Sequence, residues 1–538
     1  MSNRLTLAGL VDERWSALGE KPYALYDDVP VTWGDLRRRS IRVANVLNGR
    51  GLEPGDVVGI YLNNCPEIMD ILVAASRLGV LAVPINTAQV GDFLSHQVNE
   101  AGFELVITEP ALFPRLEQIQ DDVPGLQDVL VARAEGLVDL PGLRSRYNVA
   151  DVSVLYEGTE SHLETDHQPD PGDPLAILFT SGTTGKSKGV VVSNHYFVNG
   201  ARVIAENNEM LRTDVWYGAV PLFHFSGLLG VLGCAMWVGC TAILDSWFSL
   251  TGTWDQVRKY NCTGMILVGP MLNMVWDLPE DPSDADLPIR VLGAAPIPPG
   301  WIEPIQERYN CRLVTMYGMT ECFPISVHNL NDVMKPGTAG KPNSSFDVQI
   351  VDDHDQAVAP GEVGEIVARP KEPNVMFEGY FNRPEETLER MRTLWFHTGD
   401  YGRIDEDGYV TFVDRKKDAL RRRGENMSSM EVEAALIGHP AIADAAVVAV
   451  PSPLGEDDVK ACLVRTDDSV THEELIRYCE EHIPFFAIPR YIEFVDHLPR
   501  NAVGRVLKFT LREEGINDAT WDRDEAGIKI KKLKPTRH

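Results

Sequence analysis

The chain has 538 residues, too many for one ordinary core, and at about 150 residues per domain the length implies roughly three to four compact units. Its 44% hydrophobic and 24% charged content, with a mean hydropathy of -0.14, excludes a largely disordered, collagenous or multi-span membrane protein. The 50 Lys and Arg against 79 Asp and Glu leave a formal charge of -29, which repels polyanions and disfavours nucleic acid as a partner, so a phosphate-bearing ligand needs a local cluster of amides, cationic side chains and metal.

The N-terminus reaches Asp12, Glu13 and Arg14 before any apolar run is long enough for a signal peptide. Eight scattered cysteines, without a CxxC pair or zinc-like spacing, predict reduced and mostly buried thiols in a cytoplasmic protein. Strand-like runs then alternate with helical patterns: VVGIYL from Val57, a helix over Pro66 to Leu78, VLAVPIN from Val80, LVIT near Leu105, VLVA near Val129 and AILFT near Ala176. Such alternation predicts α/β layers with largely parallel sheets. Residues 226–244 carry no charge over about 19 positions, the length of a membrane span, but four glycines dilute them. A buried helix that turns at Gly239 into a buried strand TAIL is expected instead, with no membrane span.

A different texture begins near Gly337, where FDVQIVDDHDQ, GEVGEIVAR and GYVTFVDR predict a small antiparallel sheet or barrel subdomain. Charge density rises at Arg415, Lys416 and Lys417, and a further α/β pattern follows: a helix from about Ser429, strands AAVVAVP and VKACLV, a helix from about His472, and YIEFV. The expected organisation is a large N-terminal body over 1–414 (with the small β subdomain at about 337–414), a hinge at 415–417, a small C-terminal domain at 418–520 and a basic, solvated tail at 521–538.

The segment ILFTSGTTGKSKGVVVSNHYF sends an apolar strand into a loop of Ser, Thr and Gly with two lysines, then into another strand and a helix. Such a loop can aim backbone amides, hydroxyls and an ammonium at one anion, and its glycine spacing is not that of a Walker A loop. Loop 180–189, TSGTTGKSKG, is followed in order by PLFHFSG (221–227), GAAPIPP (293–299), MYGMTE (316–321), HTGD (397–400), DRKKD (414–418), GEN (424–426) and LPRNAVGR (498–505). With these segments the chain resembles the adenylate-forming superfamily of acyl-CoA synthetases, nonribosomal peptide adenylation domains and firefly luciferases over almost its whole length. It is most similar to stand-alone acyl-CoA ligases of the carnitine/crotonobetaine-CoA ligase kind.

The resemblance implies an α/β fold: a body of two α/β layered subdomains with a small β-barrel-like subdomain, and a small mobile α+β C-terminal domain. It implies activation of a small carboxylic acid by ATP with Mg²⁺, release of pyrophosphate, and acyl transfer to CoA or to a separate carrier protein. By resemblance, Thr180, Ser181, Gly182, Thr183, Thr184 and Lys188 wrap the phosphates. Tyr317 stacks on adenine, Thr320 donates to the α-phosphate and Glu321 holds Mg²⁺. Ala295 and Pro296 lie along the adenine edge, Asp400 accepts the ribose hydroxyls and Arg415 adds a ribose or phosphate contact. His224 and Phe225 border the acyl pocket or the acceptor tunnel, with residues 268–270 near them. Lys417 is the hinge residue, and Arg421, Arg422, Arg423 and Gly424 either meet a CoA phosphate or form plain solvated surface. Taken alone, YGMTE also reads as a helix N-cap region, HTGD as a common turn and His224 as a core histidine.

One position departs from the family pattern: in LPRNAVGRVLK, Arg505 stands where the family has its adenylation lysine, and Lys508 follows. Either Arg505 does the same work through a planar fork, or Lys508 takes over, or the first half-reaction is slow or unusual. An acid–CoA ligase is therefore the leading expectation. The alternatives are an AMP-forming ligase that activates a non-standard oxyanion, such as nitrite for diazotisation of an aryl amine, and a nucleotide-binding relative without catalysis.

Overall fold

The computed structural model describes residues 5–133, 145–180, 187–295, 297, 300–352, 354–415, 419–422, 425–452, 457–467, 469–499, 506 and 508–530, with the side chains at 270, 413–428, 430, 431 and 509 outside that description. Two large sheets form the body, and both are built mainly from the parallel strands that the alternating pattern predicts. The eight-stranded sheet runs Gly379–Tyr380, Lys188–Ser193, Pro174–Thr180, Leu81–Pro84, Val57–Tyr61, Leu105–Thr108, Asp128–Val131, Asn148–Asp151. The seven-stranded sheet runs Arg312–Val314, Val291–Ala295, Gly264–Val268, Val215–Gly218, Thr241–Leu244, Pro22–Tyr26, Val29–Thr32.

Local chemistry sets the helices that cover these sheets. The Trp33–Gly49 helix starts on a reciprocal Thr32–Asp35 capping box, which satisfies two otherwise orphaned donors. The predicted Pro66–Leu78 helix has proline in its first turn, where no amide donor is needed, and closes on Gly79 in the left-handed region. The uncharged stretch folds as expected: consecutive helical segments from Phe225 to Val238, a turn at Gly239 (φ 84°) and the strand Thr241–Leu244. Among the described residues no helix is long and apolar enough to cross a membrane.

The expected small sheet is a four-stranded antiparallel one made of Phe346–Val351, Gly364–Pro370, Phe396–Ile404 and Val410–Arg415. Beyond it, the hairpin Ala419–Arg422/Glu425–Ser428 precedes the helix Ser429–Ile437 and a separate sheet of Ile442–Pro451, Asp457–Arg465, Tyr491–Phe494 and Trp521–Asp522. This last sheet has its own apolar core around Val447, Ala461, Leu475 and Ile492. Trp521 and Asp522 pair with Ile492 and Tyr491, and Ile528 and Ile530 pack on that core, so the beginning of the expected tail is folded. All eight cysteines are free and buried, as their scatter predicts.

The two parts meet where the Gly91–Ala101 helix abuts the His472–His482 helix. Phe93 and Ala88 pack against the C-terminal core. Gly91 has φ 51°, and a Cβ there would lie 3.2 Å from the Glu481 carbonyl oxygen, so glycine allows both the turn and the close approach.

Candidate active site

The loop with the phosphate-binding composition joins two antiparallel strands, Pro174–Thr180 and Lys188–Ser193, whose register sets Thr180 opposite Lys188 at its base. Ser181, Gly182, Thr183 and Thr184 lie outside the described residues. The Lys188 ammonium forms an ion pair with Glu386 and lies 5.0 Å over the Tyr380 ring. Its side chain is only 10% exposed and that of Glu386 31%, so the pair is partly withdrawn from water. Burial raises the Glu386 carboxyl, but hydrogen bonds from Lys188 and Arg383 outweigh it and leave the group below the ordinary glutamate range.

Tyr380 connects this lysine to the MYGMTE motif. Its hydroxyl donates to Glu321 Oε1 at 2.7 Å, and burial followed by the Glu321 charge pushes the phenol well above its usual range, so it remains a donor. MYGM is a strand, Met316–Met319, hairpinned to Cys322–Val327 with Thr320 and Glu321 at the turn, which corrects the helix N-cap reading of YGMTE. Backbone pairing, not capping, satisfies this segment. Tyr196 donates to the Thr320 carbonyl at 2.9 Å and Phe377 N–H to the Glu321 carbonyl at 2.9 Å, which fixes the turn from both sides.

Tyr317 Oη donates to Asp400 Oδ2 at 2.8 Å, joining the aromatic of one motif to the acid of HTGD. HTGD lies within the Phe396–Ile404 strand. Asp400 N–H donates to Thr398 Oγ1 at 3.1 Å, and Gly399 N–H to Glu365 Oε1 at 3.0 Å. The buried Glu365 is also 3.3 Å from His397 Nδ1 and accepts from Arg392 Nη2 at 3.1 Å, a polar base beneath the Asp400 turn. Arg415 pairs with Asp400 in backbone register; its side chain is outside the description.

Ala295 ends a strand and is in register with Val268, so both lie at the carboxyl ends of parallel strands, where open α/β sheets bind ligands. Pro296 is outside the described residues. The His224 segment follows the neighbouring strand Val215–Gly218; the His224 ring lies 4.7 Å from Phe223, and Phe225 is edge-on to Tyr196 at 5.2 Å. A Cβ on Gly227 would be 2.2 Å from the Pro221 carbonyl oxygen, so this turn closes only with glycine.

Lys508 is not brought to this cluster: it donates to Ser429 Oγ at 2.7 Å and pairs with Glu433 Oε1 at 2.5 Å inside the C-terminal part. Arg505, Lys417, Arg423 and Gly424 fall outside the described residues, and Arg421 and Arg422 are on the hairpin strand Ala419–Arg422. The residues that the motifs did not point to are Tyr380, Arg383 and Glu386 in GYFNRPEET. Arg383 Nη1 donates to Glu386 Oε1 at 2.8 Å and its Nε to Glu100 Oε1 at 2.6 Å. Pro384 at a helix start was the visible signal there, and it speaks of structure rather than phosphate.

Residues 11–381 match the AMP-binding enzyme family and residues 431–505 the AMP-binding enzyme C-terminal domain. A crotonobetaine/carnitine–CoA ligase of Salmonella arizonae is 30% identical over 89% of this chain and 93% of its own, and one of Proteus mirabilis 30% over 89% and 92%. The structure is similar to an o-succinylbenzoate CoA synthetase double mutant from Bacillus subtilis bound to a product analogue (TM-score 0.81, 27% identity, 97% of this chain and 99% of that one). The same Bacillus enzyme in complex with AMP gives a TM-score of 0.65 at 27% identity over 95% and 98%. None of these relatives supports the nitrite reading. With two family matches that take in the phosphate-loop strands, the Tyr317–Glu321 hairpin and three of the four strands of the C-terminal sheet, the chain belongs to the AMP-binding enzyme family and is an adenylate-forming, AMP-forming ligase.

Proposed function

We propose that the chain is an ATP-dependent acid–CoA ligase acting on a small-molecule carboxylate. The observation that carries this reading is the convergence of Lys188, Glu321, Tyr317 and Asp400 through Tyr380 and the Tyr317–Asp400 hydrogen bond, in a chain 30% identical to CoA ligases over most of its length. A carboxylate oxygen of the acid attacks the α-phosphorus of ATP and pyrophosphate departs; the CoA thiol then attacks the acyl carbonyl and AMP departs.

The residues fit the parts of this chemistry that need positioning and charge. Lys188, at the base of the loop with Thr180, supplies the cation for the β- and γ-phosphates. Thr320, fixed by Tyr196, offers a hydroxyl to the α-phosphate, and Tyr317 offers a ring face to adenine. Asp400, buried on its polar base, accepts from the ribose hydroxyls, and Ala295 leaves room along the adenine edge. Glu321 is the carboxylate assigned to Mg²⁺. An ion delivered with phosphate oxygens needs only one acid from the protein. When bound, Mg²⁺ supplies charge neutralisation on the phosphates.

His224 and the aromatic wall of Phe225 and Tyr196 border the acyl side. Arg505 takes the adenylation role expected of a cation in LPRNAVGR, since Lys508 is engaged by Glu433. Residues 415–417 serve as the hinge between the body and the C-terminal domain, and Arg421, Arg422 and Arg423 are the cations assigned to a CoA phosphate. Eight buried, unpaired thiols suit a reducing cytoplasmic setting.

The test is release of AMP and pyrophosphate by the purified protein with a panel of betaine-type, aliphatic and aromatic acids, with and without CoA, and with thioester detection by mass. Acid- and CoA-dependent AMP with matching thioester is expected. AMP formation without thioester under every acceptor condition refutes the CoA assignment, and nucleotide binding without turnover of any acid refutes the ligase reading.

A further inference from the structure

Lys188, the lysine assigned to phosphate, is engaged by an acid of the protein itself. Lys188 pairs with Glu386, Glu386 is held by Arg383 at 2.8 Å, and Arg383 is held in turn by Glu100 at 2.6 Å on the Gly91–Ala101 helix. Charges therefore alternate in sign along the row Lys188, Glu386, Arg383, Glu100. The row is anchored: the Tyr380 amide donates to Thr387 Oγ1 at 2.9 Å, and Gly379–Tyr380 pairs antiparallel with Val190 and Val191, two and three residues after the lysine. The Glu386 carboxylate is thus fixed beside Lys188 by elements that do not depend on a ligand.

A carboxylate in contact with the lysine that must hold phosphate opposes phosphate binding, because both anions compete for one ammonium and repel each other at short range. It also lowers the cost of losing phosphate, since the lysine does not return to an unpaired, partly buried state. We propose that Glu386 is a positioning residue that exchanges with the nucleotide phosphates on Lys188: it parks the ammonium against the Tyr380 ring in the empty site, yields it to the β- and γ-phosphates of ATP, and takes it again as pyrophosphate leaves. This assignment rests on the ligase reading above and extends it to the product-release step.

The expected signature is unusual for loss of a site residue. Glu386→Gln keeps the shape of the side chain and removes the competing charge, so affinity for Mg²⁺ with α,β-methylene-ATP, which cannot be cleaved between the α- and β-phosphorus, should rise about five- to tenfold, and affinity for pyrophosphate with it. AMP lacks the β- and γ-phosphates and should bind unchanged. In a Lys188→Met background, adding Glu386→Gln should have no further effect, because the carboxylate acts through the lysine. Glu386→Asp, which keeps the charge, should remain near wild type.

The experiment is calorimetric titration of α,β-methylene-ATP, pyrophosphate and AMP into the full-length wild type and these four variants, with melting temperatures in parallel. Tighter polyphosphate binding in Glu386→Gln with unchanged AMP, lost in the Lys188→Met background, supports the exchange role. Weaker polyphosphate binding, an equal change for AMP, or an effect that persists without Lys188 overturns it while the ligase reading stands. A wild type that binds none of the three ligands overturns the ligase reading and this assignment together.

Discussion

Asp70 offers a test of the structure that needs no substrate. It sits on the Pro66–Leu78 helix and is 1% exposed; Oδ2 accepts from the Tyr156 hydroxyl at 2.8 Å, and Oδ1 has no hydrogen-bond partner. Burial pushes its carboxyl up to about 8, only partly opposed by Arg39 and the Tyr156 hydrogen bond, with Glu67 and Asp35 adding to the rise. Because the folded value lies above the unfolded one, the protonated acid's contribution is fully present below about pH 4 and is lost as pH rises through about 8. A rise from 3.8 to about 8 corresponds to a ceiling of about 6 kcal/mol at alkaline pH, and relaxation of the surroundings should bring the measured effect to roughly 2–4 kcal/mol. Asp70→Asn keeps an acceptor for Tyr156 and removes the ionisation. Its melting temperature relative to wild type should climb between pH 5 and pH 9, by several degrees over that window. Other raised carboxyls, such as Glu433 and Asp245, tilt both curves alike, so the difference isolates Asp70. Parallel curves, with the variant equally shifted at every pH, would show that Asp70 does not titrate differently in the folded and unfolded states.

Tyr380→Phe deletes the donor to Glu321 while keeping the ring under Lys188. A hydrogen bond to a charged acceptor is worth about 1.5–3 kcal/mol, so acid-dependent ATP–pyrophosphate exchange should fall about 10- to 100-fold and demand more Mg²⁺, and an unchanged Mg²⁺ dependence would speak against the Glu321 assignment. Gly91→Val puts a branched side chain at φ 51° and a Cβ 3.2 Å from the Glu481 carbonyl, and should loosen the docked C-terminal domain. Single-turnover measurements should show thioester formation at least about tenfold slower with AMP affinity kept, whereas equal loss of both would assign Gly91 to folding alone. Burial raises the thiols of Cys65, Cys234 and Cys322 well above their usual range, so the native protein should react slowly with a disulfide reagent at pH 8 and expose eight thiols in denaturant; a fast native thiol would contradict their placement.

Much of the architecture was legible because its signals are local. Apolar strands alternate with amphipathic helices, Pro66 and Gly79 punctuate one helix, and the glycines of 226–244 mark a folded turn at Gly239 rather than a span. The MYGMTE segment shows the limit of local signals. Thr320 and Glu321 have cap-like chemistry, yet Cys322–Val327 supplies a strand partner at once and backbone pairing wins. Tyr380, Arg383 and Glu386 were not legible as site residues, because their meaning comes from the Gly379–Tyr380 strand pairing beside Lys188, almost two hundred residues earlier. For Lys508 the sequence offered a cation in the right neighbourhood, but Glu433 on the Ser429–Ile437 helix claims it.

The acidic balance of the chain acquires a local meaning at this site. A charge of -29 argues against affinity for polyanions, and an unscreened lysine would be the simplest remedy. Instead, among the described residues at this site, Lys188 is paired with Glu386, and Arg383 with Glu386 and Glu100. If Lys188 holds phosphate as proposed, binding a polyphosphate costs the protein an internal ion pair and favours a ligand whose charge Mg²⁺ reduces, which would keep affinity moderate. Moderate affinity suits an enzyme that must release pyrophosphate before its second step. The structure lies closer to the product-analogue complex of the Bacillus synthetase than to its AMP complex, and the Gly91–Ala101 helix that meets the C-terminal domain at one end carries Glu100 at the other. On the proposed exchange at Lys188, loss of phosphate and docking of the C-terminal domain bear on the same helix, so a change that strengthens one should be felt at the other.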